Sequence, residues 1–89
     1  MKALHFVVTG RVQGVWFRAW TEETARALGV TGWVRNRPDG RVEGRAEGDE
    51  ASLSSFVERL HEGSPSAQVA SVEVSEVAPE GSAAFTIRR

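Results

Sequence analysis

Eighty-nine residues leave room for one domain, spanning 1–89, and for no second core. Hydrophobic residues at 40% and charged ones at 26% fit a folded globular chain, and no apolar run approaches the roughly 20 residues that cross a bilayer. Lacking cysteine, the chain can hold no disulfide, thiolate nucleophile or thiolate metal site, and a net charge of −1 suits a general nucleic-acid binder poorly.

Met1 to Thr9 lacks the long apolar stretch and small-residue cleavage site of a signal peptide, so it reads as structure and implies a cytoplasmic location. Leu4 to Thr9 is a β-rich run with Leu4, Phe6 and Val8 on one face. Gly10 to Val15 has two glycines and no helical pattern. A helix follows, with Phe17, Trp20, Thr24 and Leu28 as its apolar face and Gly29 as its stop. Glu22 and Arg26 are spaced for an ion pair on its outer side.

A hairpin comes next. Val30 to Arg37 is one strand, Arg37-Pro38-Asp39-Gly40 the turn, and Arg41 to Glu47 the return. The return strand alternates strictly: Val42, Gly44 and Ala46 face the core, while Arg41, Glu43, Arg45 and Glu47 are expected in water. Asp49 caps a second helix whose buried stripe is Leu53, Phe56, Val57 and Leu60, ended by Gly63 and Pro65. Val69 to Val77 is the next strand, with Val72 and Val74 expected inward. Pro79 to Ser82 turns into a terminal strand, Ala84 to Arg88, carrying Phe85 and Ile87. The order is β-α-β-β-α-β with a short C-terminal strand. Its compact form is the ferredoxin-like α/β sandwich, an antiparallel sheet covered on one face by two helices.

That fold serves many functions, so chemistry must be sought in particular residues. His5 and His61 show no metal-ligand spacing and read as strand and surface residues. Charge is more informative. Residues 1–45 hold eight Lys/Arg against four Asp/Glu, and the remainder three against eight, so an anionic ligand would sit in the first half. There, Gly10-Arg11-Val12-Gln13-Gly14-Val15-Trp16-Phe17-Arg18 runs from a strand into a helix N-terminus. Such a loop can aim backbone N–H groups at a phosphate, with Arg18 completing a two-pronged grip, or it can be a plain turn. Asn36 ends the hairpin's first strand, where asparagine is disfavoured; it starts the turn or serves a site.

The two segments together resemble the acylphosphatase family. Gly10 to Arg18 is similar to its first signature, glycine-any-Val-Gln-Gly-Val-any-aromatic-Arg. Gly32-Trp33-Val34-Arg35-Asn36, with Gly40, Val42 and Gly48, is similar to its second. The resemblance implies hydrolysis of acyl phosphates without cofactor, metal or covalent intermediate. It assigns Arg18 to phosphate binding, Asn36 to the attacking water, and the backbone of Gln13, Gly14, Val15, Trp16, Phe17 and Arg18 to a phosphate cradle. The expected partner is a small-molecule acyl phosphate, with no nucleic acid and no membrane, and the expected state is a monomer. Arg37 either draws acidic acyl groups to the mouth or is a solvated turn residue. Two other readings compete: an RNA-binding sheet using Trp16, Trp20 and Trp33, and a regulatory domain without turnover. Trp20 falls on a helix's apolar stripe, and both signature residues are intact, which favours the enzyme.

Overall fold

The computed structural model describes residues 1–89. The first strand, β1 (Lys2–Arg11), is longer than the apolar alternation alone defines. It lies inside the sheet, antiparallel to β3 (Val42–Gly48) on one side and to β4 (Gln68–Val77) on the other. The hairpin partner β2 (Thr31–Asn36) pairs antiparallel with β3, and the terminal strand β5 (Phe85–Arg88) adds to β2 in parallel. The order across the sheet is β4-β1-β3-β2-β5. A register shift between Thr9 and Gly10 bends the end of β1 just before the glycine-bearing loop.

Helices α1 (Phe17–Leu28) and α2 (Glu50–Glu62) pack side by side on one face. At the end of α1, Gly29 turns left-handed (φ 73°); its N–H donates to Arg26 O at 3.2 Å and Val30 N–H to Ala25 O at 2.8 Å, closing the last turn. At the start of α2, Asp49 Oδ1 accepts from the Ser52 N–H at 2.7 Å. The expected Glu22–Arg26 pair forms at 3.3 Å. Phe17 is buried on α1, but Trp20 and Leu28 are half-buried; Thr21 and Ala25 share the buried stripe. Thr21 tolerates burial because its hydroxyl donates to Phe17 O at 2.8 Å.

The core between helices and sheet centres on Phe6, Phe56 and Phe85. Phe6 and Phe56 meet edge-to-face at 5.6 Å, and Phe56 and Phe85 lie 6.0 Å apart. Truncating any of these to alanine would cost about 3–5 kcal/mol. Gly44 on β3 makes room for Phe6: a Cβ there would collide with the phenyl ring and the Trp33 carbonyl.

Two expectations fail. Glu47 is not solvated but only 1% exposed. The connector between β4 and β5 folds over the helix-free face at this corner, and the N–H groups of Glu80, Gly81 and Ser82 donate to the Glu47 carboxylate at 2.8, 3.0 and 3.3 Å. Alternation identifies a strand's face but not what a later segment lays upon it. Val74, expected inward, is 40% exposed, because β4 is an edge strand.

Candidate active site

The loop after β1 is fixed at its start. Val12 is buried in the core, and the Gln13 side chain donates from Nε2 to Arg37 O and Arg41 O, each at 2.8 Å. Those bonds tie the loop to the β2–β3 turn. Gly14 (φ 72°) and Trp16 (φ 61°, ψ 22°) are both left-handed and steer the chain into α1.

The start of α1 is electrostatically bare. It has no side-chain cap and no acidic residue in its first turn. The first N–H to find a backbone acceptor is that of Trp20, bonded to Trp16 O at 3.1 Å; no N–H from Gln13 to Ala19 donates to a protein acceptor. Free N–H groups at the positive end of a helix form a ready place for an anion. Arg18 stands in this turn and forms no ion pair; its Nη1 reaches the Arg88 carbonyl of β5 at 3.4 Å.

Asn36 closes β2 opposite Val42, on the same face as buried Val34. Its Oδ1 is buried and has no hydrogen-bond partner. A cleft of about 390 Å³ joins the pieces. Gly14, Trp16, Phe17, Arg18 and Ala19 form one wall, with Val12, Asn36 and Ile87 completing it. Arg18 is the one charged side chain among these lining residues. Gln13 and Val15, also expected in the cradle, lie outside the lining, and Gln13 acts visibly through its staple to the turn. Ile87 was invisible as a site residue in sequence, since only the parallel docking of β5 beside β2 carries it to Asn36's neighbourhood.

A profile of the acylphosphatase family matches residues 4–87. The chain belongs to that family. An acylphosphatase from Haloquadratum walsbyi is 53% identical over 85 residues, covering 96% of this chain and 91% of the relative. The crystal structure of acylphosphatase from Bacillus subtilis superposes with a TM-score of 0.97 at 44% identity, over the full length of both chains. Another neighbour, HypF of T. kodakarensis, is similar at 33% identity and a TM-score of 0.87 over the whole of this chain, which covers 12% of that protein. The reaction is accordingly that of an acylphosphatase, hydrolysis of the carboxyl–phosphate bond of acyl phosphates.

Both segments resembling the acylphosphatase signatures border this one cleft. Arg37 does not. Its guanidinium pairs with Asp39 at 2.9 Å outside the lining. On the opposite face of the sheet, Glu43 joins Arg35 (2.6 Å) and His5 (3.1 Å). Burial would raise its carboxyl pKa, but the hydrogen bonds from Arg35 and His5 and the charges of Arg35 and Arg37 outweigh that and hold it below the usual range. No cluster of three or more His, Cys, Asp or Glu offers a metal cage, and no helix is long and apolar enough to span a membrane.

Proposed function

We propose that residues 1–89 act as one catalytic domain that hydrolyses a small-molecule acyl phosphate by direct attack of water on phosphorus. Arg18 and the backbone N–H groups from Gln13 to Arg18 hold the phosphoryl oxygens, and Asn36 orients the water. The observation that carries this reading is the Asn36 oxygen, buried without a partner beside an unpaired arginine and a row of free N–H donors. Leaving a buried acceptor unmet costs about 1–3 kcal/mol, a penalty that a water hydrogen-bonded to Oδ1 would lift.

The chemistry asks little of the protein beyond position and charge. The leaving group is a carboxylate whose conjugate acid resembles Asp and Glu, with a pKa of about 4, so it departs as the anion without a general acid. Water's oxygen forms the new bond to phosphorus as the bond to the acyl oxygen breaks. The water's proton passes to a phosphoryl oxygen, giving inorganic phosphate and the free carboxylate. Negative charge spread over the equatorial oxygens is met by Arg18 and by amides already in place, and such preorganisation is the main source of rate in phosphoryl transfer. No step calls for a metal or a covalent enzyme intermediate.

The test is benzoyl phosphate hydrolysis in EDTA by the wild type, Asn36→Ala and Arg18→Ala. Asn36→Ala should lose kcat by about 10²–10³-fold, the scale of removing one preorganised polar contact, with KM little changed because Asn36 holds water. Arg18→Ala should impair kcat and KM together. A raised KM at unchanged kcat in Asn36→Ala would remove its assigned role, and activity abolished by EDTA would remove the metal-free scheme.

A further inference from the structure

The chain has three tryptophans, and two have partners. Trp20 packs against Phe17 at 5.3 Å with the Arg59 guanidinium 5.7 Å from its ring. Trp33 lies under Arg88 at 4.5 Å and near Arg35 at 5.6 Å. Trp16 has no aromatic or cationic neighbour of this kind, is 85% exposed, and is the one non-glycine residue with positive φ. A bulky side chain avoids that backbone conformation, and such outliers gather where a site requires them. Beyond Met1, the exposed large apolar side chains are Trp16, Ile87 and Val74; Val74 lies on the edge strand β4, and the other two line the cleft.

We propose that Trp16 and Ile87 form an acyl-binding shelf at the cleft, selecting acyl phosphates with aromatic or bulky apolar acyl groups. The inference rests on the phosphate cradle above. With the phosphoryl group held by Arg18 and the loop amides, the acyl group must occupy what is left of the cleft, whose remaining lining is mostly apolar. An aromatic acyl group finds there an unpartnered indole face and a branched aliphatic side chain, contacts that small acyl groups cannot fill. Since Arg18 is the only charged lining residue and Arg37 is paired with Asp39, an acyl group bearing its own carboxylate meets no free cation in the lining.

The experiment measures kcat/KM for benzoyl phosphate and acetyl phosphate in the wild type, Trp16→Ala, Trp16→Gly and Ile87→Thr. The benzoyl-to-acetyl ratio should fall about tenfold in both Trp16 variants and less in Ile87→Thr. Trp16→Gly relaxes the backbone while Trp16→Ala does not, so a common fall assigns the effect to the indole. Inhibition by phenylphosphonate relative to methylphosphonate should weaken in parallel, which reads binding apart from turnover. An unchanged ratio in the Trp16 variants, or equal losses on both substrates, would overturn the shelf. Asn36→Ala reports separately on the proposed reaction: if it abolishes turnover while the Trp16 ratio stays put, the mechanism stands and the shelf falls. If it retains turnover while that ratio drops, the shelf stands and the role of Asn36 falls.

Discussion

Asn36 and Glu47 make an instructive pair. Both belong to the β2–β3 hairpin, at opposite ends and on opposite faces, and both bury side-chain oxygen. Glu47 carries a full charge, yet three backbone N–H groups donate to it and the positive charge of nearby Arg45 supports it. Asn36 is neutral, and its oxygen has nothing. Glu47, with its partners, ties a distant segment to the hairpin, whereas the Asn36 oxygen beside the cleft has a hydrogen bond left to make. Glu47 pins the segment that leads into β5; Asn36 faces the cleft that β5 helps to close.

Of the two residues, the larger stability effect should come from breaking the satisfied member. Glu47→Gln swaps one acceptor oxygen for an NH₂ group turned toward N–H donors, and should lower the urea-unfolding free energy by about 2 kcal/mol. Its kcat under folding conditions should stay near wild type, because Glu47 lies outside the cleft. A variant as stable as wild type would show that the connector does not depend on this carboxylate.

A smaller effect sharpens the comparison through pH. Burial pushes the Glu47 carboxyl pKa up, but hydrogen bonds from Glu80, Gly81 and Ser82 and the charge of Arg45 bring it below the ordinary value; Glu43 is lowered likewise. Carboxylates lowered in the folded state stabilise it above their unfolded pKa of about 4.3, and that contribution disappears as pH falls through the folded values. The urea midpoint should therefore decline below about pH 4.3, and decline less steeply in Glu47→Gln. Identical acid slopes in the two proteins would detach Glu47 from acid stability.

Glu47 also marks what the sequence could not convey. Alternation along Arg41–Glu47 assigned the right face to every side chain, because the pleat alone decides that. Whether the outer face is wet depends on where the segment around Glu80 lands, some thirty residues later. The same holds for Val74, whose inward face lies at the sheet's edge, and for Ile87, which reaches the cleft only through parallel pairing with β2. Helices and turns were legible since their signals are local: Asp49 as cap, Gly29 and Gly63 as stops, the four-residue spacing of Glu22 and Arg26. Arg18 and Asn36 stood out by motif. The Gln13 staple and the left-handed Trp16 had no local sign, the one being a contact across the fold and the other a conformation its residue type disfavours.

The central claim is that the Asn36 side chain serves chemistry and contributes nothing to the fold, and the unfolding free energy of Asn36→Ala in urea tests it most directly. Removing an unmet buried oxygen should leave stability within about 0.5 kcal/mol of wild type, or raise it, in the same protein whose turnover has collapsed. A loss of about 2 kcal/mol or more would mean that Asn36 is held as firmly as Glu47, and that the contrast between them is false.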